Sequence, residues 1–137
     1  YANFSGRLQI NKDLYDKIPG TDVRKGWWLG GDLKSKNLSA SQQAMVTGYG
    51  YKAYTQVKFA PYNNVLETSI NANDIPLMRV EEMYLIKAEA EAMSGQDGKK
   101  TLVDFITKYR NESYVVTSSD IQEEVFLQRR IELWGEG

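Results

Sequence analysis

Three helical hydrophobic patterns follow one another through the second half of the chain, and that succession limits the fold more than any other feature. The first opens at Asp74-Ile75-Pro76, where proline suits the first turn of a helix, and runs to about Met93, where Ser94-Gly95 supplies a stop. Its apolar residues do not form one stripe. Val80, Tyr84 and Ala88 mark one face, Ile86, Ala90 and Met93 another, so the pattern predicts neighbours on several sides. Ala88, Ala90 and Ala92 would let those neighbours come close. The second pattern is a plain amphipathic stripe, with Leu102, Phe105, Ile106 and Tyr109 at i, i+3, i+4 and i+7. The third opens with the capping-box spacing Ser119-Asp120-Ile121-Gln122 and carries Val125, Leu127, Ile131 and Trp134. Short connections between three such helices predict antiparallel neighbours.

Residues 1–73 read differently, as a loop-rich and partly β segment. Asn11 can cap a short helix carrying Leu14, Tyr15 and Ile18, ended by Pro19-Gly20. Lys52 to Ala60 alternates like a strand, with Ala53, Thr55, Val57 and Phe59 on one face, and Pro61 ends it. Between them, Gly26 to Gly50 reads mostly as loop, with five glycines, Trp27, Trp28 and Tyr49. A loop of that length is either functional or mobile. The division near Asp74 therefore separates 1–73 from a three-helix part, 74–137.

Composition narrows the function. The 137 residues are 42% apolar and 26% charged, the balance of a globular chain. Seventeen basic and eighteen acidic residues leave a net charge of −1, which gives no electrostatic case for nucleic acid or an anionic membrane. Cysteine and histidine are both absent, which excludes Cys/His zinc sites and any catalytic dyad or triad built on either residue. Asp13, Asp16, Asp22 and Asp32 are too scattered for an EF-hand loop, so no metal or other cofactor is expected. Gly48-Tyr49-Gly50 lacks the spacing and the Lys-Ser/Thr pair of a phosphate-binding loop. No apolar run approaches the roughly 18 residues of a membrane span, and no basic-then-apolar signal segment opens the sequence.

Four segments, in order, resemble motifs of the SusD/RagB family. Gln128-Arg129-Arg130-Ile131-Glu132-Leu133, followed by Glu136-Gly137, is similar to the family's terminal Glu-Arg-Arg-x-Glu-Leu-x-x-Glu-Gly-x-Arg, with Gln128 where Glu is usual. Ile75-Pro76 through Arg79, Glu82, Leu85 and Ala88-Glu89-Ala90 resembles the family's Ile-Pro-x-x-Arg-x-x-Glu-x-x-Leu-x-x-Ala-Glu-Ala segment. Ile106 to Arg110 resembles its Asn-x-Ile-Arg motif, and Asp22-Val23-Arg24 its Asp-x-Arg. The family motif continues two residues past Gly137 to an Arg, so the sequence reads as a piece of one SusD-like domain. The resemblance implies a mainly α, SusD-like fold of antiparallel helices with tetratricopeptide-like packing. It also implies a lipoprotein on the surface of the outer membrane, anchored by a lipid outside this segment, which binds an oligosaccharide or polysaccharide for a SusC-like TonB-dependent transporter.

Three function classes stay open at this point. A binding protein would present aromatic rings to a sugar, and the candidates are Trp27, Trp28, Tyr49, Tyr51 and Tyr54. Trp and Tyr combine a flat apolar face with a polar edge. Adjacent residues in an extended stretch point to opposite faces, so one of Trp27 and Trp28 can be core while the other is a platform. A helical protein-interaction module would instead show an exposed groove. A glycan-cleaving enzyme would need two carboxylates in an open cleft. Arg79, Glu89, Arg129, Arg130, Glu132 and Glu136 read as structural ion pairs, with Arg79 expected to meet Glu132 or Glu136, because an unpaired buried charge is costly. No catalytic residue is expected among them.

Overall fold

A computed structural model describes residues 7–59, 61–68, 70 and 77–136, so the turn at Asp74 to Pro76 lies outside the described residues. Five α-helices account for most of the regular structure: α1 (Lys12–Asp16), α2 (Ala40–Gly48), α3 (Val80–Met93), α4 (Gly98–Tyr109) and α5 (Ile121–Glu132). The chain packs as two compact units, one of Tyr1–Pro19 with Arg24–Ile75, the other of Gly20–Val23 with Pro76–Gly137.

In the second unit, α3 and α4 form a hairpin joined by Ser94–Asp97, and α5 lies mainly against α3. Leu85 and Ala88 of α3, Leu102, Phe105 and Ile106 of α4, and Val125 of α5 make the core. Gly95 turns the chain out of α3 at φ 76, a conformation that spares glycine the Cβ clash. Asp97 then caps α4 by accepting from the Lys100 amide at 2.9 Å. The hairpin closes tightly at Gly98, where a Cβ would stand 2.2 Å from the Ala88 carbonyl oxygen and 2.7 Å from the Ala92 nitrogen. Ala88 and Ala92 thus supply the close approach expected of the alanines, while Ala90 faces outward.

Two expectations change here. Leu77 to Arg79 are not helical, and α3 begins at Val80. Arg79, extended at φ −122 and ψ 148, occupies the N-cap position without a side-chain capping bond, because its guanidinium is held elsewhere. Nor is α3 packed on several sides among the described residues. Both partner helices lie on its Leu85–Ala88 side, where Tyr84 stacks on Phe105 of α4 with ring centres 5.2 Å apart, and they leave Val80, Met83, Ile86 and Met93 exposed. A third difference concerns α5, whose cap is Asp120, not Ser119. The carboxylate accepts from the amides of Gln122 at 2.8 Å and Glu123 at 3.4 Å, where its charge also suits the helix dipole.

In the first unit, α1 is capped as expected, with the Asn11 side chain accepting from the Asp13 amide at 2.7 Å and Leu14 buried beneath. The strand over Lys52–Ala60 is not formed among the described residues. Only a short stretch is paired, through isolated antiparallel bridges of Thr55 with Gln9 and of Gln56 with Trp28. Tyr54 takes a left-handed φ of 67, which breaks the extended run, and Thr55, Gln56 and Val57 are buried in succession, so the alternation fails. The long Gly26–Gly50 segment is more ordered than its glycines suggest. A 3-10 turn covers Val23–Trp27, and α2 fills Ala40–Gly48 behind a full capping box, with the Gln42 amide donating to Ser39 Oγ at 3.3 Å and the Ser39 amide to Gln42 Oε1 at 2.9 Å. Val46 of α2 joins Leu29, Tyr51, Val57 and Leu66 in this unit's core.

The tight hairpin yields a first test. Gly98→Ala should destabilise the second unit by about 1–3 kcal/mol, the usual range for overpacking, because the obstruction is backbone that cannot swing aside. Chemical denaturation followed by circular dichroism would measure it, and an unchanged midpoint would mean that α3 and α4 are not this close.

Candidate functional site

Glu132 is the most informative charged residue, since its side chain is wholly buried and it lies between two arginines. Arg110, just past the end of α4, donates through Nε to Glu132 Oε2 at 2.9 Å and through Nη2 to Oε1 at 2.8 Å. Arg79, just before α3, reaches Glu132 Oε1 at 3.2 Å and grips Glu136 with two bonds of 2.9 and 2.8 Å. Arg110 also donates to Glu81 of α3 at 3.0 Å. The expected pairing of Arg79 with Glu132 or Glu136 is therefore formed with both. Burial pulls the two guanidinium pKa values down, but hydrogen bonds to Glu136 for Arg79 and Glu132 for Arg110, with the neighbouring carboxylate charges, leave both raised. Paired forks of this kind fix geometry as well as charge.

The rest of the terminal segment is held in the same manner. Arg129 donates to Glu89 at 3.0 Å and lies 3.7 Å from Glu82, and the Arg130 guanidinium stands 5.7 Å from the centre of the Phe126 ring. Gln128 gives its side-chain amide to Glu124 Oε1 at 3.0 Å, beside the Tyr114 hydroxyl at 2.8 Å. A glutamate at 128 would confront the buried Glu124 with a second carboxylate, which accounts for the amide there. Glu132 is sealed from solvent, and the partly exposed Glu81 and Glu136 are both held by Arg79. No group of three or more metal-ligating side chains occurs among the described residues.

The five candidate aromatic residues, all in the first unit, divide by exposure. Trp28 has no solvent-accessible surface, and Tyr51 is buried with its hydroxyl on Glu67 at 2.6 Å and the Arg7 guanidinium 4.2 Å from its ring centre. Burial, then the bond to Glu67, pushes the Tyr51 phenol above the ordinary tyrosine value. These two rings are interior. Trp27 is half-buried, its ring centre 6.1 Å from that of Trp28, with the Lys58 amino group 4.4 Å above it. Tyr54 is half-buried against Tyr15 at 5.1 Å, and Tyr49 is 48% exposed. The surface-facing set is thus Trp27, Tyr49 and Tyr54.

Lys58 leads to a feature that the sequence reading missed. It borders a cleft of about 350 Å³ whose walls include Asn37, Gln42, Phe59, Pro61 and Asn64. One wall is the entry to α2, held by the Ser39 capping box. The other is the 3-10 turn Tyr62–Asn64, and Gln42 ties the two together by donating to the Asn64 carbonyl at 2.8 Å. The capping pattern Ser39-x-x-Gln42 was the available signal for this wall; the glycines around it concealed it.

Comparison with known proteins decides the family. The family model for the SusD family matches residues 20–137. The chain belongs to the SusD family. A SusD-like carbohydrate binding protein from Bacteroides vulgatus ATCC 8482 is 27% identical, with a TM-score of 0.60 over 95% of this chain and 25% of that protein. The SusD-family segment therefore spans about a quarter of that relative's length. No curated protein matches it. The mainly helical, SusD-like fold is the one the terminal motifs implied.

Replacing Arg79 with Met should cost this SusD-family segment on the order of 2 kcal/mol of stability. That is less than the roughly 3–5 kcal/mol of a wholly orphaned buried ion, because Arg110 stays on Glu132. Urea unfolding would measure it, and a neutral effect would remove Arg79 from the structural account.

Proposed function

We propose that this chain is part of a cell-surface protein that binds a glycan and passes it to a SusC-like TonB-dependent transporter in the outer membrane. A lipid anchor outside this segment would hold the protein there. Family membership supports the reading, since SusD-family proteins are binding proteins and not catalysts, and the similar structure is described as carbohydrate binding. The observation that carries it on this chain is the half-exposed Trp27 beside Lys58 and the adjoining cleft.

The action is capture and release, with no bond made or broken. A sugar offers C–H faces and hydroxyls, which suit an aromatic face bordered by polar groups. Trp27, Tyr49 and Tyr54 are the residues assigned to that contact, while Trp28 and Tyr51 support them from the core. Balanced charge suits a neutral ligand, which needs no electrostatic steering.

A second reading, a helical module for a protein partner, draws on α3, whose Val80, Met83, Ile86 and Met93 are exposed. Apolar side chains grouped in this way mark surfaces that something else covers. In the leading reading, further parts of a SusD-like protein cover this face.

Isothermal titration with linear hexasaccharides of α-1,4-glucose, β-1,4-mannose and β-1,4-xylose tests the choice. Binding of at least one is expected, and Trp27→Ala should weaken it about ten-fold, the equivalent of some 1.4 kcal/mol, with the melting temperature unchanged. Trp28→Phe should lower stability and leave the affinity of folded protein intact. Failure to bind any of the three would overturn the carbohydrate reading in favour of a protein ligand.

A further inference from the structure

The cleft beside Lys58 allows the carbohydrate reading, on which this inference rests, to be carried to particular atoms. Its volume of about 350 Å³ falls at the small end of the roughly 300–1,000 Å³ typical of small-molecule sites. Its polar side chains differ in how far they are engaged. Gln42 is committed, its oxygen to the Ser39 amide at 2.9 Å and its amide nitrogen to the Asn64 carbonyl at 2.8 Å. Asn37 and Asn64 both line the cleft and are exposed, and neither carboxamide is hydrogen-bonded among the described residues.

The backbone shows that this arrangement is built. Asn63 and Asn64 are consecutive left-handed residues, at φ 52 and 58, a conformation that costs most side chains free energy and that asparagine tolerates. The Gln42 clamp holds this turn against α2. A Cβ on Gly26 would lie 2.7 Å from Asn37 Oδ1, so the Asn37 carboxamide packs against the Gly26 backbone. Phe59 adds an aromatic ring to the lining, with Lys58 Nζ 5.3 Å from its centre and 4.4 Å from that of Trp27. Lys58 therefore joins the half-exposed indole to the cleft. No Asp or Glu lines the cleft among the described residues.

We propose that this cleft is a subsite for one neutral pyranose unit of a longer glycan. Asn37 and Asn64 meet its hydroxyls, and Phe59 meets its C–H face. Each carboxamide both donates and accepts, as does each hydroxyl, so two of them can engage a sugar without leaving a polar group unmatched. Gln42 acts as a positioning residue that sets the distance between the walls. The glycan would continue from this unit past Lys58 toward Trp27.

The test follows the side-chain amides of Asn37 and Asn64 by ¹⁵N NMR in the full chain. The three neutral hexasaccharides above serve as probes, with trigalacturonate as an acidic one. Asn37→Ala and Asn64→Gly serve as variants, glycine being chosen because it keeps the left-handed backbone without strain. Both amides should shift on saturation with a neutral probe, and each variant should bind about ten-fold more weakly at unchanged melting temperature. Binding by the unmodified chain without movement of either amide would overturn the subsite and leave the carbohydrate reading standing. So would variants within about two-fold of the unmodified affinity. Preference for trigalacturonate would overturn the neutral assignment. Should no probe bind, both the subsite and the reading beneath it would fall. The amide shifts need no variant, so they decide the matter even where a substitution fails to fold.

Discussion

The buried carboxylate of Glu132 sets the arrangement of the helical unit. A carboxylate in that position would be strongly unfavourable alone, and it is tolerated because Arg79 and Arg110 reach it from the start of α3 and the end of α4. Each of the three helices contributes a charged end to one cluster, which fixes where those ends can lie. The apolar core of Leu85, Leu102, Phe105, Ile106 and Val125 supplies most of the favourable burial. The ion cluster supplies register, since Glu132 must stay within reach of Arg79 and Arg110 to be neutralised. That division of labour explains why Arg79 caps nothing and why α3 begins only after it.

How much of this was legible in the sequence depended on how local the deciding physics was. The Leu102 to Tyr109 stripe announced α4, and its three inward members are buried. The terminal Arg129-Arg130-x-Glu132 segment announced both the family and the charge pairing. The strand over Lys52–Ala60 looked equally regular and did not form, because Tyr54 adopts a left-handed backbone that periodicity cannot foresee. Helix α2 was hidden for the opposite reason. Its capping box at Ser39 and Gln42 was present, but the glycines on either side and its modest apolar content favoured a loop. Helix α3 was legible as a helix, yet its packing was not, since the number of sides covered depends on partners that spacing does not name.

For the candidate site, composition identified the residue class and structure selected the members. Trp28 and Tyr51 are large rings enclosed by the first unit's interior, whereas Trp27, Tyr49 and Tyr54 retain surface. The uncommitted carboxamides of Asn37 and Asn64 carried no sequence signal, because exposed asparagine is common in turns of every kind. Their significance comes from lining the same cleft. The two units thus divide the attributes of the chain: charge pairing and family motifs in the helical one, exposed aromatic and amide groups in the other.

The Arg–Glu cluster holds the three helices in register. A double-mutant cycle on Arg110 and Glu132, with Arg110→Met, Glu132→Gln and the double variant compared by urea unfolding, measures it most directly. A coupling of at least about 1.5 kcal/mol is expected, with the double variant recovering part of the loss of each single change, because removing both charges removes the unpaired one. A coupling below about 0.5 kcal/mol would show the two residues acting independently, and the register would then have to come from the apolar core alone.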